Sequence, residues 1–368
     1  MSSKVADAEA QFTPESANGA VTDIDRAAIR KSRAQQAKRA KRLVRDRFDE
    51  VIAARPFGAR PADKILSHAA GLFRDGPIEP RALKASIARL EATIRSDLPD
   101  LVIQRMPRAT SLKPKKVGLM VYETRAIVEE SQRFITAENH SVVLTERSIV
   151  FISGLLPGGS RTHLFERVFE RGARVRMLAD IQLQLSALWP TLLWMRTQQR
   201  LQGRGKPLTV MMTPFEDGLL FGSLQKVDAL PAAGPTVVVV RIGGQETRTL
   251  RDLYGDEKGN RLWAMTNTFV DGALFNADQR PLWSALVAYI REYPDVIADN
   301  DWRWRIGLGI DDPAVHFVAD TFRITAPSES RRSAALAALE EIVNSAPWQR
   351  EAARSLESQG ERRRKHEV

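Results

Sequence analysis

A glycine-rich stretch in the middle of the chain carries residues that suit the binding of an anion. Residues 152–161 read ISGLLPGGSR and separate a predicted strand from a predicted helix. Glycines let backbone amides approach an anion closely, serine hydroxyls add hydrogen bonds, and an arginine binds phosphate through two nitrogens. We therefore predict an anion- or nucleotide-binding loop formed by Ser153, Gly154, Gly158, Gly159, Ser160 and Arg161. The alternative is a glycine-rich turn that binds nothing, which is common in α/β proteins.

Two standard phosphate-binding motifs are absent from this stretch. Gly154 and Gly159 have the spacing of a Walker A loop, but Ser160 and Arg161 stand where that loop needs lysine followed by serine or threonine. The dinucleotide motif GxGxxG does not occur there either. A Walker-type NTPase is therefore disfavoured, and no particular cofactor follows from the sequence.

Acidic side chains follow several other predicted strands and suit metal-phosphate or general-base chemistry. If the strands are parallel, their carboxyl ends meet at one edge of the sheet, beside the glycine-rich stretch. The residues concerned are Glu123, Asp180, Glu216 and Asp217. Stabilisation of helix dipoles is the alternative role, because acids at helix N-termini favour the helix without taking part in catalysis.

The histidine, cysteine and serine patterns exclude several classes of enzyme. No HExxH or other paired ligand spacing occurs, so we expect no metal site among His68, His140, His163, His316 and His366. His163 is nearest to the glycine-rich stretch and suits a proton donor to a bound anion, although a lone histidine on a helix is more often structural. The absence of cysteine excludes thiol nucleophiles, and the absence of GxSxG disfavours hydrolases with that motif.

Tryptophan and arginine alternate in residues 302–305, a segment that we predict to be a strand after a turn at 299–301. A strand would place Trp302 and Trp304 on one face, with Arg303 and Arg305 on the other. The tryptophans then form either a stacking platform for single-stranded nucleic acid or part of the core. We predict that they belong to the core.

Positive charge is concentrated in three segments of the chain. The whole sequence has 55 Lys+Arg and 45 Asp+Glu, a net charge of +10. Residues 26–47 carry a net charge of +9, residues 105–116 carry +5, and residues 361–368 carry +2. The remainder has a net charge of −6. The sequence therefore predicts basic appendages on a slightly acidic body.

Basic appendages of this kind bind phosphate backbones, anionic lipids or acidic protein surfaces by the same screened attraction. The leading hypothesis is a nucleic-acid-associated protein that contacts the backbone of DNA or RNA through Arg30, Lys31, Arg33, Lys38, Arg39, Lys41, Arg42 and Arg45, aided by the basic tail. Two others stay open: a phosphate- or nucleotide-binding enzyme or sensor that uses the glycine-rich stretch, and a scaffold for an acidic protein or a membrane surface. A solvated basic helix without a partner is also compatible with the charge run.

Helices are predicted for the first third of the chain. A capping pattern at Thr22 opens a helix that runs to residue 54, and Pro61 and Pro80 open two more. The third has Leu83, Ile87, Leu90 and Ile94 on one face. The sequence therefore predicts a basic helical module before the sheet.

From Val117 onward, predicted strands alternate with predicted helices at 124–137, 161–171 and 181–201. Such alternation is typical of βαβ units. We therefore predict an α/β fold with a mostly parallel, Rossmann-like sheet. Mixed or antiparallel strands after Pro214, a helical insert at 247–293 and a C-terminal helical tail extend it.

The predicted organisation has four parts. They are a disordered arm at 1–23, the basic helical module at 24–112, the α/β domain at 113–327, and C-terminal helices with a basic tail at 328–368. The first residues lack the basic and apolar regions of a secretory signal. The most apolar later stretch, 177–195, is interrupted by polar residues and proline, so we expect no transmembrane segment and a cytoplasmic location.

Overall fold

The chain is described from a computed structural model over residues 23–53, 61–105, 117–129, 132–156, 158–170, 178–185, 188–201, 210–226, 236–241, 244–249, 262–305 and 327–366. Residues 1–22 of the predicted arm at 1–23 lie outside the described residues, as do residues 306–326. The four-part division of the chain stays a prediction.

Three helices open the described chain, as the sequence predicts. They are α1 (Asp23–Ala53), α2 (Pro61–Gly71) and α3 (Leu83–Asp97). The predicted apolar face of α3 is confirmed, because Leu83, Ile87, Leu90 and Ile94 are all buried. This face and the apolar residues of α2 pack on the sheet that follows, so the two helices share a hydrophobic core with it.

Ten strands lie within the described ranges and form one sheet. The first five are β1 (Val102–Arg105), β2 (Val117–Glu129), β3 (Gln132–Leu144), β4 (Ser148–Leu155) and β5 (Gly158–Arg161). The other five are β6 (Val210–Phe215), β7 (Gly218–Lys226), β8 (Thr236–Arg241), β9 (Gly244–Thr249) and β10 (Leu262–Val270). The fold is therefore α/β, as predicted at that level.

The sheet branches at β3. One edge of β3 pairs with β2. The other edge pairs with β5 near the start of β3, at residues 134–135, and with β4 over residues 138–144. Strand β4 continues to β8 and β9, whereas β5 continues to β10, β7 and β6. Three neighbouring strands, β2, β3 and β4, therefore run side by side in antiparallel register.

The expectation of a mostly parallel, Rossmann-like sheet is wrong. Among the described pairs, only β5 with β10 is parallel. The predicted helix at 124–137 is instead the meeting of β2 and β3, which only residues 130–131 separate. So short a link cannot carry the crossover that parallel strands require. Several residues of this segment are β-branched or aromatic, and these types fit a pleated sheet well.

Two of the helices predicted within the α/β region, and the predicted C-terminal helices, are confirmed. The predicted helices at 161–171 and 181–201 correspond to α4 (Thr162–Glu170) and to α5 (Leu178–Leu185) with α6 (Trp189–Leu201). The C-terminal helices are α7 (Gln279–Glu292), α8 (Pro294–Arg305), α9 (Glu329–Asn344) and α10 (Ala346–His366). The predicted helical insert at 247–293 is wrong in its first part, which contains β9 residues and all of β10.

The predicted turn and strand at 299–305 are also wrong, because these residues belong to helix α8. Two positions that are two residues apart lie about 200° apart around a helix, so Trp302 and Trp304 do not share a face. The hypothesis of a stacking platform depended on a strand that places both tryptophans on one face, so the helix removes its basis. The side chains of 302–305 lie outside the described part of the structure.

Both faces of the sheet are covered by helices. Met120 and Tyr122 of β2 pack with α6, α7, α9 and α10, whereas Leu119 and Val121 pack with α2 and α3. Neighbouring residues of a strand point to opposite faces, so these two groups of helices lie on opposite sides. Helices α1, α4 and α5 form a further core with residues of β3, β7 and β10.

Candidate functional site

Helix α1 presents a row of basic side chains to solvent. Six of the basic residues that the sequence assigns to nucleic-acid binding are exposed, and we call them the basic face: Lys31, Lys38, Arg39, Lys41, Arg42 and Arg45. Arg47 is exposed as well and pairs with Glu50 at 2.7 Å. Arg30 and Arg33, which the sequence also assigns to nucleic-acid binding, lie on α1, but their side chains are outside the described part. The predicted basic residues therefore fall on a continuous helix, with most of them exposed.

The opposite stripe of α1 is buried. Ala40, Val44 and Phe48 are shielded from solvent, and the last two pack against Leu164 and Phe165 of α4. With about 100° of rotation per residue, the centre of the basic face lies roughly opposite this stripe. The helix is therefore anchored to the body along one side and offers its positive charge on the other.

Ion pairing on α1 leaves the basic face positively charged. Arg42 lies 3.7 Å from Asp46, with the two side chains 79% and 53% exposed. Pairs this exposed contribute about 0–1 kcal/mol, so phosphate can compete for the arginine. Asp46 is the one acid in residues 26–47.

The structure covers little of the other two basic segments. Arg105 ends β1 and donates to Glu91 at 2.7 Å, whereas residues 106–116 lie outside the described ranges. The basic tail belongs to α10 as far as His366, but its side chains are not described. The contribution of these segments to binding stays a prediction.

The glycine-rich stretch is not an exposed loop, which corrects the sequence-based placement. Ser153 and Gly154 belong to β4, and Gly158, Gly159, Ser160 and Arg161 form β5. Gly158, Gly159 and Ser160 are buried and pair with β10. A Cβ on Gly159 would lie 3.1 Å from the Ile135 carbonyl oxygen, so a close approach between strands accounts for this glycine. Anion binding by the stretch stays a prediction, now without the loop that motivated it.

A polar cluster lies across β2, β3 and β4. It is on the same face of the sheet as Leu119 and Val121, which pack with α2 and α3. Glu123 is directly opposite Glu138, and His140 is directly opposite Ser153. Arg125 lies two residues beyond Glu123 on the same face. We call these five residues the sheet-face cluster.

His140 connects the two outer strands of this cluster. Its Nδ1 lies 3.0 Å from Ser153 Oγ, and its Nε2 lies 3.2 Å from Glu123 Oε2. The imidazole is 2% exposed and stacks parallel to the ring of Phe151, with the centroids 6.4 Å apart. A carboxylate only accepts hydrogen bonds, so in the singly protonated ring the arrangement that satisfies both partners has the hydrogen on Nε2 and Nδ1 accepting from the serine hydroxyl.

Arg125 forms ion pairs with both carboxylates of the sheet-face cluster. Its Nη1 donates to Glu123 Oε1 at 3.3 Å, and its Nε pairs with Glu138. The candidate ligand atoms of Glu123, Glu138 and His140 lie within 4.8 Å of one another, a spacing that suits a cation. The contacts that the structure shows there are those of an ion-paired network, with the guanidinium supplying the positive charge.

Of the other predicted acids, Glu216 and Asp217 do not lie beside Glu123, and the side chain of Asp180 is not described. Asp180 lies on α5, whereas Glu216 and Asp217 form the exposed turn between β6 and β7, strands that do not pair with β2. Glu216 has a φ of +50°, which the tight turn requires. The predicted gathering of acids at one sheet edge depended on a parallel sheet, and the antiparallel pairing removes it.

The histidines are dispersed. His68 lies 2.9 Å from Asp97, which links α2 to α3, and exposed His163 on α4 lies 3.2 Å from Glu166. His316 is outside the described residues, and the side chain of His366 is not described. Only His140 is buried in a network that contains both a hydroxyl and a carboxylate, among the histidines whose side chains the structure describes.

Comparison of the chain with family models, curated proteins and solved structures gave no match. Within the ranges that the structure describes, no helix combines the length and the apolar character that crossing a membrane needs.

Proposed function

We propose that this protein binds the phosphate backbone of nucleic acid through the basic face of α1. One observation carries the proposal: six lysine and arginine side chains are exposed on a helix whose opposite stripe is anchored in the core. Each phosphate contact releases condensed counterions from the nucleic acid, and this release drives binding without reading sequence. The protein would therefore bind DNA or RNA with little preference for base sequence.

The dimensions of the basic face suit a duplex. Lys31 and Arg45 are fourteen positions apart, which is about 21 Å along a helix at 1.5 Å per residue. The major groove of B-DNA is about 12 Å wide, so one helix of this length can contact phosphates on both sides of it. Lysine and arginine are both suited to phosphate, the first as a point charge and the second by paired hydrogen bonds.

The packing of α1 favours nucleic acid over a membrane surface. A helix that lies in a membrane interface inserts its apolar side between the lipids. In α1 the apolar stripe is already buried against α4, and among the side chains of α1 that the structure describes, Leu43 is the one exposed large apolar residue, at 40% exposure. What α1 offers to solvent is charge, which suits a phosphate backbone more than a lipid interior.

A pair of charge-matched variants tests the proposal. The first changes the six residues of the basic face to glutamine, which keeps helix propensity and touches no buried side chain. The control changes six exposed basic residues elsewhere to glutamine: Lys64, Arg74, Arg81, Lys84, Arg89 and Arg147. Both variants lose the same formal charge. Deletion of residues 1–47 is a poorer test, because it also removes Ala40 and Val44 from the core.

Fluorescence anisotropy with mixed-sequence duplex DNA and RNA at low salt gives the affinities. We expect the basic-face variant to lose about 100-fold or more in affinity and the control to stay within a few-fold of the unmodified protein. Equal losses in both variants would show that net charge alone drives binding. No binding by the unmodified protein would overturn the proposal and leave an acidic protein partner as the hypothesis to test.

A further inference from the structure

We propose that Ser153 is a nucleophile that accepts an acyl group, with His140 as its base and Glu123 as the residue that orients the base. The three side chains come from adjacent strands, β4, β3 and β2, and form a continuous line of hydrogen bonds. This site is independent of the basic face, since none of its residues lies on α1.

The hydrogen-bond directions are those that activation requires. The carboxylate of Glu123 accepts from His140 Nε2–H, which leaves the Nδ1 lone pair to accept the hydroxyl proton of Ser153. When Ser153 loses that proton, the resulting imidazolium is stabilised by the adjacent carboxylate. The serine, base and orienting acid therefore stand in the order that activates a hydroxyl in serine hydrolases.

Several contacts hold this geometry. His140 and Ser153 are direct partners in the β3–β4 ladder, and the ladder between β2 and β3 fixes Glu123 beside them. The imidazole packs parallel to Phe151 and is buried, whereas Ser153 is half-buried. The base is thus the most shielded member of the relay, and Ser153 is less buried than the base. A base fixed in advance lowers the cost of aligning the reacting groups.

Charge selects the class of substrate. The sheet-face cluster contains two carboxylates, Glu123 and Glu138, and one guanidinium, Arg125, and the formal charges of these three groups sum to −1. An anionic phosphodiester is repelled by this charge, whereas an uncharged carboxylic ester is not. The substrate class that fits is therefore a neutral ester, and nucleic acid is a ligand of α1 rather than of this site.

The reaction has two balanced steps. Ser153 Oγ forms a bond to the carbonyl carbon while His140 Nδ1 takes the hydroxyl proton; the ester C–O bond then breaks, and the alcohol leaves with that proton. In the second step His140 takes a proton from water, the hydroxide attacks the acyl-serine, and the proton returns to Ser153 as the carboxylic acid departs. Nothing is oxidised or reduced, and water is the only co-reactant.

A fluorophosphonate probe, which is uncharged and reacts with activated serines, tests the nucleophile. Intact-mass analysis and peptide mapping of the full chain should show one adduct, on Ser153, and Ser153→Ala should remove it. Ser148→Ala is the matched control, because Ser148 lies on the same strand and is half-buried but bonds to Thr145 at 2.7 Å instead of to a histidine. That variant should be labelled at the unmodified rate.

The relay is tested by the hydrolysis of p-nitrophenyl acetate. We expect His140→Gln to lower kcat at least 100-fold. Because His140 is buried, this variant can fail to fold, and Glu123→Gln provides the second test: it also removes the repulsion with Glu138. We expect Glu123→Gln to lower kcat about tenfold or more while KM stays unchanged, a split that a merely structural role would not give. Absence of an adduct on Ser153, or folded relay variants with full activity, would overturn the proposal.

Discussion

Glu123 and Glu138 are directly opposite each other on adjacent strands, a pairing that is repulsive unless positive charge lies beside it. Arg125 supplies that charge and contacts both carboxylates. Sequence inspection singles out Glu123, His140 and Ser153, but in unrelated roles. The prediction of a helix at 124–137 separates Glu123 from the other two. A prediction of a hairpin centred between residues 130 and 131 would have placed Glu123 opposite Glu138. His140 lies two residues after Glu138 on the same strand, so Glu123 would also have been near His140.

Replacement of Arg125 by leucine tests the balance of charges in the sheet-face cluster. The half-buried carboxylates would then face each other without the guanidinium, and we expect a loss of about 1–3 kcal/mol in the free energy of unfolding. Chemical denaturation measures this loss. Adding Glu138→Gln to the same chain should restore part of it, because one of the two like charges is gone. A double variant no more stable than Arg125→Leu would contradict this explanation.

Gly159 gives a second prediction at the level of single residues. A Cβ at this position would lie 3.0 Å from the Phe134 ring and 3.1 Å from the Ile135 carbonyl oxygen. We expect Gly159→Val to destabilise the fold by about 1–3 kcal/mol, as overpacking does. Gly71→Ala is the control, since nothing lies within 4 Å of its added Cβ. If Gly159→Val kept full stability and lost only anion binding, the sequence-based hypothesis of an anion loop would regain its support.

At the level of elements, helices α7 and α10 are held together by ion pairs and hydrogen bonds whose partners cannot be identified from the sequence alone. Helix α10 is joined to the start of α7 by Arg350 and Arg354, which donate to Asp278 at 2.6 and 2.8 Å. Buried Glu351 accepts from Asn276 and Gln279 in the same contact. The charges of these residues are readable in the sequence, but their partners lie more than seventy residues away and depend on the fold.

Acid should weaken the contact between α7 and α10. The hydrogen bond from Arg350, helped by Arg354 and opposed by desolvation, holds the pKa of the Asp278 carboxyl below its usual value of 3.8. The unfolded chain therefore takes up this proton first, so the stabilisation is present above pH 3.8 and is lost as the pH falls through the lower, folded-state pKa.

Denaturant midpoints measured across the acidic range check this dependence. We expect Asp278→Asn to be less stable than the unmodified protein at neutral pH, with the difference shrinking as the pH falls below about 4. The exposed Asp75→Asn serves as the matched control. A difference for Asp278→Asn that is constant down to pH 2 would show that the carboxylate charge does not stabilise the contact.

The attachment of α1 gives a further prediction for an element. Phe48 is 1% exposed and packs in the core with α4, whereas Leu43 on the same helix is exposed. We expect Phe48→Ala to cost about 3–5 kcal/mol in the free energy of unfolding, since it removes a large buried side chain and leaves a cavity. Leu43→Ala should cost much less. Similar losses for the two variants, measured by denaturation, would contradict the assigned packing of α1.

At the level of the whole molecule, the helices and charge segments follow from local sequence more readily than the sheet does. Pro80 and the four-three-four spacing of apolar residues identify α3, because a helix is defined by neighbours in sequence. Strand pairing depends on partners farther away. The branch at β3 and the parallel contact of β5 with β10, more than a hundred residues apart, have no local signature.

The distribution of charge is also a property of the whole molecule. The +9 of residues 26–47 is set against a net charge of −6 for the chain outside its three basic segments. Under the proposed function, such separation would direct a polyanion toward α1 and away from the acidic body. The sheet-face cluster is consistent with this layout, since its own charge favours a neutral ligand.

The salt dependence of DNA binding is the sharpest test of phosphate contact by α1. Affinity for a mixed-sequence DNA duplex is measured by anisotropy at several salt concentrations for the unmodified protein and for the variant with six glutamines in the basic face. If all six basic side chains contact phosphate, log K should fall against log salt with a slope of about −5, and the slope of the variant should be much shallower, with the remainder due to basic residues such as Arg30 and Arg33 that the variant keeps. A slope near zero for the unmodified protein, or equal slopes for both, would contradict backbone binding by α1.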